Sequence, residues 1–127
     1  MKLRLKGATL RLRLTQGEIR ELDEAGRVEE RVPFGANVSL IYRLSVDPAA
    51  REISASYQGN VLEVRVPKTT AREWCTGNEV TLAQTQPLPE GELRIMLEKD
   101  FACLAPREGE DESDNFPHPL QGTGKTC

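Results

Sequence analysis

Apolar and charged residues alternate from the start of the chain. Leu3 and Leu5 sit between Lys2, Arg4 and Lys6, and Leu10, Leu12 and Leu14 enclose Arg11 and Arg13. A period of two predicts strands with one apolar face. The apolar parity changes from odd to even across Gly7-Ala8, which predicts a glycine bulge or bend returning both leucine sets to one core. In the following TQGEIRELDEAG, Thr15 and Glu18 have capping-box spacing, Ile19, Leu22 and Ala25 share a stripe, and Gly26 stands where a left-handed residue would stop a helix.

The middle of the chain has the clearest pattern. Val38, Leu40, Tyr42, Leu44 and Val46 alternate, and Asp47-Pro48 has the chemistry of a type I turn. Ile53, Ala55 and Tyr57 then face Leu62, Val64 and Val66 across Gly59-Asn60, so a two-residue hairpin places every apolar residue on one side. Thr70 and Glu73 repeat the capping-box spacing, Gly77 supplies a stop, and Trp74 is the natural anchor of this second helix onto the sheet. Val80 and Leu82 open a strand, PLPEG makes a turn, and Leu93, Ile95 and Leu97 return, with alternation continuing through Phe101 and Cys103. Strand, helix, glycine and strand thus occur twice in the same order, around Thr15 and around Thr70.

These elements predict an α+β fold: an antiparallel sheet or partly open barrel of roughly six to eight strands, with two short helices. The pattern stops after Leu104. Residues 1–104 are expected to form a single domain, and 105–127, rich in acids, proline and glycine, an irregular or disordered tail.

Composition changes this picture little, but charge changes it considerably. Hydrophobic residues are 38% of the 127 and the net charge is −3. Lys2, Arg4, Lys6, Arg11 and Arg13 give the first fourteen residues five positive charges and no negative one. Glu108, Glu110, Asp111, Glu112 and Asp114 put five negative charges into seven residues near the other end. No apolar run approaches the roughly 20 residues of a membrane span, so the expected localisation is cytoplasmic, without a membrane partner. Cys75, Cys103 and Cys127 show no C-x-x-C spacing and read as free thiols.

His118 is the only histidine, which excludes a two-histidine metal centre within one chain. Cys103, Asp111, Asp114 and His118 offer thiolate, carboxylate and imidazole as an alternative metal site, although their spacing fits no familiar ligand frame. Glu110, Glu112 and Asp114 alternate as in a calcium loop, but Asn115 and Gln121 stand where that loop needs glycine and glutamate. Cys103 has the parity of the core leucines and reads as a buried thiol, not a nucleophile. Lys99 also has inward parity, and is expected either to form an ion pair at a pocket rim beside Asp100 or, preferably, to be turned outward by a bulge. No Walker, dinucleotide, esterase or zinc-protease motif occurs. No cofactor is expected, and an accessory role is favoured over an enzyme.

Taken together, RLRLTQGE, VPFG, EKDFACL and ESDNFPHP resemble a small bacterial family of unknown function, most specifically in EKDFACL followed by an acidic, proline-containing tail. The resemblance implies a compact bacterial domain and carries no activity, cofactor or site residue. The functional expectation therefore rests on charge. It is a non-enzymatic binding or accessory module whose basic sheet surface, around Arg4, Arg11 and Arg13 with Lys99 and Asp100, meets a protein or small anionic ligand, with the acidic tail as its cover. The acidic balance and scarcity of aromatics argue against nucleic acid, and oligomeric state is not legible.

Overall fold

The computed structural model describes residues 1–101. Ten elements follow in order: β1 (Lys2–Lys6), β2 (Thr9–Leu14), α1 (Gln16–Ala25), β3 (Arg27–Gly35), β4 (Val38–Asp47), β5 (Ser54–Gln58), β6 (Val61–Pro67), α2 (Lys68–Thr76), β7 (Thr81–Pro87) and β8 (Glu92–Lys99). The α+β class and the two short helices agree with the pattern. The eight strands divide into two four-stranded sheets, β1-β2-β8-β7 and β3-β4-β6-β5. Each is mixed, since two antiparallel hairpins meet along a central parallel pair, β2 with β8 and β4 with β6. No closed barrel forms.

Gly7-Ala8 is the loop of a β1-β2 hairpin, in which Lys6 faces Thr9 and Leu3 faces Leu12. The change of parity is therefore the reversal of the chain, not a bend within one strand. The β5-β6 hairpin has the register its pattern demands, Tyr57 opposite Leu62 and Ala55 opposite Val64. Gly59 at φ 57° and Asn60 at φ 63° give the two positive angles that a tight hairpin turn of matching twist requires. After β4, Asp47 closes its turn through Oδ1 to the Ala49 N–H at 2.9 Å and through its carbonyl to the Ala50 N–H at 3.1 Å. That turn carries β5 past β6, so β4 and β5 are not neighbours.

Both helices start where a central strand ends. Thr15 caps α1 with the full reciprocal box: its side chain accepts from the Glu18 N–H, and Glu18 accepts from the Thr15 N–H. The box foreseen at Thr70 is absent. Pro67 occupies the N-cap of α2 without a side-chain bond, and Thr70 lies inside the first turn. Proline is tolerated at this helix entrance because its missing N–H costs no intrahelical bond there. Gly77 ends α2, though in extended conformation; it is needed because a Cβ would stand 2.7 Å from the Glu73 carbonyl oxygen.

The order ββαββ occurs twice, β1 to β4 and β5 to β8, and each half lends its second hairpin to the other half's sheet. The correspondence extends to register. Leu12 lies between Leu3 and Leu97 as Val64 lies between Ala55 and Leu44. The bond from the Arg94 N–H to the Ala8 carbonyl corresponds to that from Ile41 to Asn60, and Lys99 to Val80 corresponds to Val46 to Gly26. The repeated order in the sequence is thus a topological two-fold.

One core joins both sheets and both helices. Leu10, Leu12, Leu14, Ile95 and Leu97 from the first sheet meet Val28, Leu44, Val64 and Val66 from the second, with Ile19, Leu22, Ala71 and Trp74 from the helices. Trp74 is fully buried, and its indole N–H donates to the Val80 carbonyl at 3.3 Å. Burial of a side chain this large is among the biggest single stabilising terms available to so small a core. The helices fill one end of the space between the sheets. At the other end, where the four hairpins turn, the inward-facing Leu5, Phe34, Val38 and Tyr57 are exposed.

Candidate binding surface

Directly opposed residues in a strand pair project from the same face, so the register alone assembles the outer surface of the first sheet. Lys2 faces Arg13, Arg4 faces Arg11 and Lys6 faces Thr9; across the parallel pair, Thr9, Arg11 and Arg13 stand beside Arg94, Met96 and Glu98. The hairpin to β7 adds Thr85, Ala83 and Thr81. Among the described residues, six cations, Lys2, Arg4, Lys6, Arg11, Arg13 and Arg94, therefore share this face with two acids, Glu92 and Glu98. The core leucines force this result: once Leu10, Leu12 and Leu14 are buried, the intervening arginines must point the other way.

Glu98 organises the lower half of the face. Its side chain is buried, and its two oxygens meet Arg11 Nε at 3.0 Å and Arg13 Nε at 3.3 Å. The Arg11 guanidinium also contacts Met96 Sδ at 3.6 Å. A buried carboxylate is stable here because charge-assisted bonds replace its hydration. Glu98 thereby ties both arginines of β2 to β8. At the corner, Asp100 Oδ2 takes Lys2 Nζ at 3.0 Å, and the Asp100 N–H extends the ladder to the Leu14 carbonyl at 2.8 Å.

Arg4, Arg11, Arg13 and Asp100 are thus brought together, as charge had suggested, and Lys2, Lys6, Arg94 and Glu98 join them. Glu98 escaped the sequence reading. The available signal was its parity, opposite to Leu97, which makes it the sole acid interleaved with the core residues of its strand. Lys99 is separated from this group. No bulge turns it outward: it stays in register with Leu14 and keeps inward parity. Its Nζ donates to the Gly77 carbonyl at 3.0 Å and lies 6.0 Å from the Trp74 ring centroid. The carbonyl end of α2 offers a lysine here both an acceptor and a favourable dipole, so the lysine needs no carboxylate partner.

Lys99 also borders a cleft of about 770 Å³ between the two helices and the end of β8, lined by Leu14, Ile19, Arg20, Cys75 and Phe101. The Cys75 thiol in its wall is poorly suited to nucleophilic chemistry. Burial first, and then Asp23, push its pKa up, and Lys99 and Arg72 only partly oppose them. Among the described residues, no three of His, Cys, Asp and Glu gather where they could hold a metal. Cys103, Asp111, Asp114 and His118, the alternative metal set, lie outside the described residues, as does the acidic run 108–114.

The second sheet has an outer face of another kind. Arg43 Nε meets Glu29 at 2.6 Å and its Nη1 meets Glu63 at 3.5 Å; Arg65 Nη2 reaches Glu63 at 2.6 Å, and the Ser45 hydroxyl donates to Glu63 at 3.0 Å. Arg65 Nη1 also donates to the Ser56 hydroxyl at 3.1 Å. Two carboxylates thus serve the central arginines here, and the hydroxyls of Ser45 and Ser56 join them.

A family model matches residues 1–120. The chain belongs to DUF7009, a family of unknown function. Neither a curated protein nor a solved structure matches it. The match agrees with the resemblance carried by EKDFACL and the acidic stretch after it, and leaves function to be argued from the surface.

Proposed function

We propose that this DUF7009 protein is a non-enzymatic, cytoplasmic binding module, and that the outer face of its first sheet recognises an acidic segment of a partner protein. The observation that supports this is the excess, among the described residues, of six cations over two acids, Glu92 and Glu98, on one in-register strand face, when the topologically equivalent face sets Glu29, Asp47 and Glu63 among four arginines. Cations at alternate positions repeat about every 6.6 Å along a strand, and neighbouring rows lie about 4.8 Å apart. That grid suits the carboxylates of an extended chain, which guanidinium groups hold in planar two-point contacts. Threonine, alanine, methionine and proline make up the rest of its described residues. Among the described residues no aromatic ring lies on this face to give the stacking platform on which single-stranded nucleic acids depend, and the chain's net charge of −3 opposes long polyanions.

The test is fluorescence anisotropy with a labelled poly-glutamate peptide. Binding should weaken as salt is raised from about 0.05 M to about 0.5 M, as expected for exposed charge pairs. Joint replacement Lys2→Glu, Arg4→Glu and Lys6→Glu should lower affinity at least about tenfold, because it reverses half of the cations on the face. Arg27→Glu with Arg31→Glu, on the other sheet, should leave it unchanged. Equal losses in both variants, or no binding by the unaltered protein, would refute the proposal.

A further inference from the structure

The two-fold repeat relates two clefts beside the helices as well as the two sheets. Counted from the first residue of each helix, Gln16, Ile19, Arg20 and Asp23 of α1 match Lys68, Ala71, Arg72 and Cys75 of α2. On the strands, Lys99 stands beside Leu14 as Val46 stands beside Val66. One cleft, of about 330 Å³, is lined by Asp23, Val46, Lys68, Ala71 and Arg72. The matching positions, Cys75, Lys99, Gln16, Ile19 and Arg20, line the other, of about 770 Å³. In the smaller cleft Arg72 Nη1 donates to Asp23 Oδ1 at 3.3 Å, so the chain supplies its own anion. In the larger one a cysteine holds the place of that aspartate, and a lysine holds the place of the valine. Among the described residues, Arg20 has no acid partner. Asp100, the one acid of this lining, pairs with Lys2 at 3.0 Å.

We infer that the larger cleft is a small-molecule site, separate from the outer sheet face, and that it takes an apolar compound bearing a single carboxylate. The smaller cleft shows where that carboxylate goes: it takes the part that Asp23 plays toward Arg72, beside the arginine that Cys75 leaves without a counter-charge. Lys99 adds a second donor, because its Nζ gives one hydrogen to the Gly77 carbonyl and keeps two. Burial raises the pKa of the Cys75 thiol, which stays protonated and does not compete for the cations. The hydrocarbon part is set by Leu14 and Ile19, both buried, and by Phe101, which is 57% exposed. Covering them removes apolar surface from water. A volume of about 770 Å³ lies within the roughly 300 to 1,000 Å³ of ordinary ligand sites.

Hexanoate titrated into the isotope-labelled full chain, followed by amide NMR shifts, tests this. The shifts should centre on Ile19, Cys75 and Lys99, and hexanol, which lacks the charge, should bind at least about tenfold more weakly. Arg20→Ala, a change at an exposed position, should leave the fold intact and weaken hexanoate about tenfold. Cys75→Asp installs beside Arg20 the carboxylate that the smaller cleft already has, and should abolish binding. Cys75→Ser keeps the position neutral and should preserve it. If Cys75→Asp fails to fold, Arg20→Ala and the hexanol comparison decide the matter. No shifts at the cleft, shifts confined to the outer sheet face, or equal affinity for hexanol would overturn the assignment. So would tighter binding of hexyl phosphate than of hexanoate, or undiminished binding by Arg20→Ala.

Discussion

The two sheets are the same structure on their inner faces and different ones on their outer faces. Inside, Leu12 and Val64 hold equivalent places between equivalent neighbours, as do Leu97 and Leu44. Outside, the same contact across the parallel pair is an ion pair of opposite sense. Arginines on β2 reach a carboxylate on β8 in the first sheet, whereas Glu63 on β6 receives Arg43 from β4 in the second. A repeated fold constrains its interior to apolar residues of similar volume and leaves its outer rows free to diverge. The outer rows are accordingly where a function specific to one half is to be sought, and the one-sided charge of the first sheet is the largest departure from equivalence.

That comparison has measurable edges. The largest effect should come from the shared interior. Trp74→Ala should cost about 4 kcal/mol and Leu22→Ala, at the matching helix position, about 3 kcal/mol, both read from urea unfolding. A loss near zero at either position would mean that the halves do not share a core. The outer faces should then separate. Glu98→Ala leaves two half-buried guanidinium groups facing each other and should cost about 2 kcal/mol, after allowance for their access to water. Glu63→Ala, at a more exposed site, should cost about 1 kcal/mol. Equal losses would erase the distinction between the faces.

A smaller difference is expected at the helix entrances. Thr15→Ala removes a formed cap and should cost about 1 kcal/mol, but Thr70→Ala, which removes none, should stay below about 0.5 kcal/mol in thermal unfolding. The capping residue Glu18 adds a pH dependence of its own. Burial alone would raise the Glu18 carboxyl, but the N-terminal ammonium and the Thr15 backbone N–H outweigh it and hold the pKa below the usual value. Its contribution is therefore complete above the unfolded carboxylate pKa of about 4.3 and lost as pH falls through the lower folded value. The Met1 ammonium shows the converse: burial lowers it, Glu18 and Glu30 more than compensate, and its pKa is raised. Its stabilisation is present below about pH 8 and lost as pH rises through the folded value. Glu18→Gln should flatten both limbs of a stability-versus-pH curve; an unchanged acid limb would place the titration elsewhere.

Much of the secondary structure was legible because its signals are local. The alternation of Val38 to Val46, the Gly59-Asn60 turn and the Thr15 cap each depend on neighbours in sequence. β3 was not legible. In RVEERVPFG the inward row contains Glu30, which breaks the alternation because its partner is the Met1 ammonium at 3.0 Å. The cap at Thr70 was misread for a related reason: spacing identifies candidates for a box, but Pro67 and the end of β6 decide where the helix begins. For the surface, Arg4, Arg11 and Arg13 could be found from their parity. Their convergence with Arg94 and Glu98 depends on a parallel pairing between residues more than eighty positions apart.

The sequence by itself determined which residues of most strands face inward, where most turns and both helices fall, and that the two ends of the chain are opposite in charge. These follow from periods and side-chain chemistry within a few residues. Only the tertiary structure decided that the strands form two sheets, that each half completes the other's sheet, and that β8 lies beside β2 to set Glu98 among the arginines. Strand partners are chosen by the shape and burial of a common core, and hydrogen-bonding edges are nearly alike in every strand, so no local pattern specifies which pair will meet.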